Sequence, residues 1–147
     1  MTRLFDVNAL IAIVEQSHPF HRPMHAWLQK HVGVTWATCP ITENGFVRVL
    51  SQSSFQGQRR SPADSIELLR RVRQTPGWPH IFWPDDYSIS EPSSINATLV
   101  PGHNQITDVY LVALALRKGG RLLTFDRRIA WQCVPGATAS IIEIPPA

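Results

Sequence analysis

Asp6, Glu43, Asp108 and Asp126 each stand inside an apolar stretch, where an ionised carboxylate is most costly to place. Asp6 follows Leu4-Phe5 and leads into Ala9-Leu10-Ile11-Ala12-Ile13-Val14, and Asp126 closes Leu122-Leu123-Thr124-Phe125; both are strand-end positions. Glu43 shares a helical stripe with Phe46, Val47 and Leu50, and Asp108 shares one with Leu111, Val112 and Ala115. An acid at a helix start also serves as a cap or complements the helix dipole. Capping acids usually point to solvent, however, whereas these four share faces with Leu, Val and Phe. In an α/β fold, strand carboxyl ends and the following helix starts meet along one sheet edge, the usual ligand edge. Two carboxylates about 4 Å apart repel by ~4 kcal/mol at an effective dielectric of about 20. Such a group must take up protons or a cation. Oxygen ligands with open geometry suit Mg²⁺ or Mn²⁺, and the chemistry that follows is hydrolysis at phosphorus.

The elements that must hold these acids alternate between strand and helix. Strands are predicted at Thr2–Asp6, Thr35–Thr38, Ile81–Trp83, Arg121–Thr124 and Ala139–Ile144. Helices are predicted from about Asn8, from His21 or Arg22 to His31, from Pro40 to Ser51, from the Ser61-Pro62 start to about Thr75, and from Ile106 to Lys118. Gly119-Gly120 closes the last of these. Ser53–Ser61 reads as a polar loop, and Pro84–Asn104 as an irregular segment hiding a short helix within Glu91–Leu99. This alternation implies an α/β fold, a mainly parallel sheet of four to five strands covered on both faces, built as one domain over residues 1–147.

Charge and cysteine usage narrow the partners. The net charge is +3, but setting the four acids aside leaves seven against fourteen Lys and Arg, a surplus of seven positive charges. An acidic hole in a basic surface suits a polyanion. Arg127 and Arg128 beside Asp126, and Arg59 and Arg60 in the polar loop, are the candidate phosphate contacts; Arg70, Arg71 and Arg73 share a helix, and Arg117 and Lys118 read as helix-end charges. Cys39 and Cys133 form no paired framework and read as buried thiols in a reducing, cytoplasmic setting. No signal-peptide pattern or membrane span is read from the chain.

Other features compete for attention. His21 and His25 have the i, i+4 spacing of a zinc pair, but no third ligand accompanies them, and half-buried or surface histidines are the simpler reading. Trp78 and Trp83 could stack on unpaired bases, although packing is the usual fate of large aromatics. Gly45 inside a helix costs ~1 kcal/mol against Ala, which suggests close approach of another backbone.

Leu4-Phe5-Asp6-Val7-Asn8, Thr38-Cys39-Pro40-Ile41-Thr42-Glu43-Asn44-Gly45-Phe46, Thr107-Asp108-Val109-Tyr110-Leu111-Val112-Ala113-Leu114-Ala115 and Leu122-Leu123-Thr124-Phe125-Asp126 together resemble the PIN-domain ribonucleases, and within them the VapC toxins of bacterial toxin–antitoxin pairs. The likeness runs in order through nearly the whole chain. It implies a three-layer α/β/α domain, a Mg²⁺- or Mn²⁺-dependent endoribonuclease, an RNA substrate, a homodimer and a cognate antitoxin. Asp6, Glu43, Asp108 and Asp126 match the family's acidic quartet as catalytic and metal positions; Asn8, Thr107 and Thr124 match supporting polar positions. A further acid found in some members is missing here, where Gln105, Thr107 and Thr124 stand. The Ser53–Ser61 loop and the Arg70 helix are candidate antitoxin surfaces. Asp6-Val7-Asn8 is also distantly similar to the nucleophile motif of haloacid-dehalogenase phosphatases, but that motif's second Asp and later Lys are absent. A third alternative is an inert RNA-binding or interaction module that keeps the fold.

Overall fold

The computed structural model describes residues 1–52, 54–55 and 58–147. Its centre is a five-stranded, all-parallel sheet in the order β5-β2-β1-β6-β7, formed by β1 (Arg3–Phe5), β2 (Trp36–Thr38), β5 (His80–Phe82), β6 (Arg121–Leu123) and β7 (Ile142–Glu143). β1 lies in register with both neighbours, Leu4 opposite Ala37 on one side and Leu122 on the other.

Alternation along these short strands builds two separate cores. Leu4, Ala37 and Leu122 point to one face, where they meet α5 (Ile106–Arg117), Trp83, Tyr87 and Ile141. Phe5, Trp36 and Leu123 point to the other, against α1 (Val7–Val14), α2 (His21–Lys30), α3 (Pro40–Gln52) and α4 (Pro62–Arg73). With both faces covered, the strands carry apolar residues on both sides, as buried parallel sheets do. The result is the three-layer α/β/α arrangement. β3 (Ser54–Phe55) and β4 (Gln58–Arg59) pair antiparallel apart from this sheet. They fall within the predicted Ser53–Ser61 loop, of which positions 53, 56 and 57 lie outside the described residues.

Several expectations need correction. The segment Ala139–Ile144 is not one strand: Ala139–Ile141 forms a 3₁₀ turn and only Ile142–Glu143 pairs with β6. Within Glu91–Leu99 only Ala97–Leu99 is helical, again as a 3₁₀ turn, because Pro92 and two serines withhold the donors and propensity a longer helix needs. The third strand begins at His80 and stops before Trp83, whose ring is buried.

His21 and His25 have a structural use. His21 Nδ1 lies 2.8 Å from the carbonyl of Ala12, and His25 Nε2 2.8 Å from that of Ile13, so the two rings satisfy orphan carbonyls at the end of α1. Trp78 donates its indole N–H to the carbonyl of Leu28 and packs, half-buried, against the second core. Gly45 marks a close approach, but of a side chain: a Cβ there would stand 2.5 Å from Val7 Cγ2. The second turn of α3 and the first turn of α1 are thereby brought together, Gly45 two residues after Glu43 and Val7 one after Asp6. Cys39 and Cys133 are both buried free thiols.

Candidate functional site

Asp6 follows β1 directly and caps α1. Its Oδ1 accepts from the Ala9 N–H at 2.8 Å, and its Oδ2 accepts from the Thr124 hydroxyl at 2.5 Å. The capping reading therefore holds for this side chain. Unlike a solvated cap it is buried, 7 % exposed. Burial above all pushes its pKa up from 3.8 to about 6; the two hydrogen bonds oppose this, and the charges of Asp108 and Asp126 add to it.

Asp126 sits just past β6 on the adjoining strand end. Thr124 links it to Asp6, because the same hydroxyl oxygen that donates to Asp6 accepts the Asp126 N–H at 3.0 Å. Asp108 lies in the first turn of α5, half-buried, its pKa raised by burial and then by Asp126. Gln105 holds these two acids in register, and its role was not visible in the sequence. Its Oε1 accepts from the Ala130 N–H at 3.1 Å and its Nε2 donates to the Arg128 carbonyl at 3.2 Å, tying the loop after Asp126 to the start of α5.

Glu43 occupies the first turn of α3 at the neighbouring strand end and is treated differently. Its Oε2 accepts from the Thr38 hydroxyl at 2.5 Å and lies 3.5 Å from Arg73 Nη1. Thr38 Oγ1 is also 2.8 Å from His80 Nε2, and Arg73 Nε donates to His80 Nδ1 at 3.3 Å. Burial, then the Arg73 charge, lowers the His80 pKa to about 4. The structure thus brings Asp6, Asp108 and Asp126 within electrostatic reach of one another, and places Glu43 apart, past the neighbouring strand β2, in a ring of its own.

The supporting positions divide as well. Thr124 is buried between Asp6 and Asp126, while Asn8 and Thr107 are exposed on the first turns of α1 and α5. Among the arginines, Arg59, Arg127 and Arg128 are exposed. The Arg128 N–H donates to Asp126 Oδ1 at 2.8 Å and its guanidinium stands 3.7 Å from the same oxygen. Arg60 is half-buried and paired with the buried carboxylate of Glu15. Arg117 and Lys118 pair with Glu91 and Asp86. A cavity of about 280 Å³ opens beside Asp126, bordered by Arg127, Ile129 and Trp131, and one of about 570 Å³ lies between α3 and α4 with Glu43 on its wall.

A divalent cation suits this donor set. Crowded carboxylates, two of them shifted towards the protonated form, would regain their charge beside Mg²⁺ or Mn²⁺. Among the described residues, no three His, Cys, Asp or Glu side chains are grouped closely enough to hold a metal ion as they stand. Mg²⁺ keeps several waters and takes only one or two carboxylates directly, so the donors present fit such an ion without a closed cage.

Comparison with known proteins bears on the family and the fold. The PIN domain description matches residues 3–131. Ribonuclease VapC44 of Mycobacterium tuberculosis is 41% identical over 138 residues, covering 94% of this chain and 95% of that protein. Ribonuclease VapC39 of the same organism is 39% identical over 144 residues, covering 98% and 99%. In three dimensions the chain resembles the crystal structure of VapBC2 from Rickettsia felis bound to a DNA fragment from their promoter, with a TM-score of 0.60 at 16% identity and 98% of each chain covered. These likenesses leave the phosphatase alternative without support. With the family pattern spanning most of its length and relatives this similar from end to end, the protein belongs to the PIN-domain family as a VapC-type member.

Proposed function

We propose that the chain is a divalent-metal-dependent endoribonuclease and the toxin of a toxin–antitoxin pair. The observation that carries this reading is the buried Asp6 carboxylate, crowded by Asp108 and Asp126 at the ends of β1 and β6. Asp6 and Asp108 would hold Mg²⁺ or Mn²⁺ directly, and Asp126 through one of the ion's waters. When bound, the ion lowers the pKa of a water and neutralises charge on a scissile phosphate.

The remaining roles belong to the chain's own groups. Thr124 fixes the Asp6 carboxylate by donating to Oδ2, and Gln105 keeps the Asp126 loop against α5. Glu43 faces the attacking water with Oε1, since Oε2 is already engaged by Thr38 and Arg73, and Oε1 takes the water's proton as the phosphodiester opens. Arg59, Arg127 and Arg128 line the approach with positive charge for the RNA backbone, whereas Arg60 is committed to Glu15. Asn8 and Thr107 stand at the rim as polar contacts. The cavity beside Asp126, with Arg127 and Trp131 on its wall, offers the RNA a basic and an aromatic contact next to that acid.

A cognate antitoxin, a homodimer and a cytoplasmic location are part of the same proposal. No helix among the described residues is long and apolar enough to cross a membrane. The test is RNA cleavage by the purified chain with Mg²⁺ or Mn²⁺, with chelator, and in the Asp6→Asn variant. Cleavage that survives either chelation or the substitution would overturn the reading.

A further inference from the structure

We propose that Thr38, His80 and Arg73 are positioning residues for Glu43, clamping its carboxylate by Oε2 in a closed ring of four side chains and leaving Oε1 as the oxygen that meets water. This rests on the nuclease reading and adds to it a device outside the acidic quartet. The four residues come from four elements: the end of β2, the first turn of α3, the last turn of α4 and the start of β5. Thr38 lies close to Glu43 in sequence and Arg73 close to His80, but only the fold joins the two pairs; Thr38 and His80 are 42 residues apart.

The ring admits one arrangement of protons. A carboxylate only accepts, so the single Thr38 hydroxyl proton goes to Glu43 Oε2. Towards His80 the same oxygen must then accept, which puts a proton on His80 Nε2. His80 Nδ1 is left with a lone pair, and that is the atom to which Arg73 Nε–H donates. Arg73 closes the ring through Nη1 against Glu43 Oε2. Every donor finds an acceptor only if His80 is the neutral Nε2–H tautomer. A protonated ring would set an N–H against the guanidinium. The low pKa of His80 agrees with this proton count.

Packing stiffens the frame. The His80 ring meets the edge of Trp36 at 4.6 Å between centroids, and the Arg73 guanidinium lies 6.0 Å from the Phe82 ring centre. The clamp also approaches the Asp6 side of the edge, since Gly45, two residues after Glu43, lets α3 press against Val7, the residue after Asp6. A clamp of this kind holds rotamer and direction, and the loss of such a supporting partner typically costs about 10–100-fold in activity.

The experiment compares RNA cleavage by the full chain and its Thr38→Val, Thr38→Ser, His80→Ala and His80→Gln variants, with His80 read by long-range ¹H–¹⁵N NMR in metal-free protein. Thr38→Val keeps the shape of a buried β residue but removes the hydroxyl, and kcat is expected to fall about 10–100-fold with KM unchanged. Thr38→Ser restores the hydroxyl and the rate. His80→Gln keeps an N–H where Nε2 was and stays well above His80→Ala. The spectra show the Nε2–H tautomer in the native chain and a mixture of tautomers in Thr38→Val. Wild-type turnover in Thr38→Val while Asp6→Asn is inactive, or an Nδ1–H tautomer in the native chain, overturns the clamp and leaves the nuclease reading standing. A native chain that leaves RNA intact removes both.

Discussion

Two stretches of one sheet edge handle their acids in opposite ways. At the ends of β1 and β6, Asp6 receives only neutral donors, the Thr124 hydroxyl and the Ala9 N–H, while two further carboxylates press on it. Among the described residues the cation paired with Asp126 is Arg128, 3.7 Å away and 90% exposed in its side chain, too solvated to offset buried charge. Beside the end of β2, Glu43 Oε2 accepts from a hydroxyl and faces a guanidinium, and an imidazole bonded to both of those partners closes the ring. The first stretch is short of positive charge and calls for a cation; the second is already balanced and suits a carboxylate that must be aimed. On the proposed reading, four acids that look alike in the sequence divide into three that gather an ion and one that handles a proton.

The largest expected effect tests that division. Asp6→Asn and Glu43→Gln should both lose cleavage by ~10²–10³-fold, the scale of a lost electrostatic group in an active site. They should part company in calorimetric titration with Mn²⁺, where Asp6→Asn loses binding and Glu43→Gln keeps it. Equal loss of Mn²⁺ binding in both would break the comparison and make Glu43 a ligand like the rest.

Stability without metal separates the two stretches again. Because the native pKa of Asp6, about 6, exceeds its ordinary 3.8, the folded state holds that proton more tightly than the unfolded chain. The resulting stabilisation is complete below about pH 4 and is lost as pH rises through about 6, so at neutral pH the charged Asp6 costs on the order of 3 kcal/mol. Asn carries no such charge and still caps α1 through its side-chain oxygen. Asp6→Asn should therefore melt higher than the native chain at about pH 7.5, by roughly 3 °C per kcal/mol recovered, and show no gain at about pH 4. Glu43→Gln, which breaks a paired group, should show no gain at either pH. A native chain whose melting temperature did not fall relative to Asp6→Asn between those two conditions would contradict the burial argument.

What the sequence disclosed follows the range of each interaction. Strands β1 and β6 and the starts of α3 and α5 were legible because period-two and period-3.6 patterns are local, and an acid placed against such a pattern stands out. β7 was overread: Ile141, Ile142 and Ile144 look like a strand, yet only two residues pair and a 3₁₀ turn precedes them. The clamp around Glu43 was not legible. His80 sits between Pro79 and Ile81 with no periodic mark, and its partners lie on other elements. Gln105 was noticed only as a position lacking an acid, while its two backbone contacts, 23 and 25 residues away, emerged from the fold. Gly45 was rightly read as a close approach, though what approaches is Val7 and not another backbone.

That contact supplies the next, smaller effect. Ala at position 45 would place its Cβ 2.5 Å from Val7 Cγ2, and Val is stiff at χ1, so either Val7 or the α1–α3 crossing must shift. Overpacking of this kind costs about 1–3 kcal/mol, against ~1 kcal/mol gained in helix propensity. Gly45→Ala should lower the melting temperature slightly and reduce cleavage, because Val7 adjoins Asp6 and Glu43 lies two residues before Gly45. A variant that melts lower but cleaves at the native rate would show that the two stretches tolerate independent movement.

The smallest effect comes from the other end of α4, the helix that delivers Arg73 to the Glu43 ring. Ser61 accepts the Asp64 N–H at 3.0 Å, and Asp64 Oδ2 accepts the Ser61 N–H at 3.4 Å, a reciprocal cap at the surface. Pro62 follows at the first helical position, where its missing N–H is no loss. Ser61→Ala removes one of these bonds and should cost about 1 kcal/mol, read as a slightly lower midpoint in urea. Fraying there stays within the first turn, three turns from Arg73, so kcat should not change. If kcat fell with the cap intact elsewhere, the position of Arg73 would depend on the whole length of α4, and the balanced stretch of the edge would be held from much further away than its ring of four side chains.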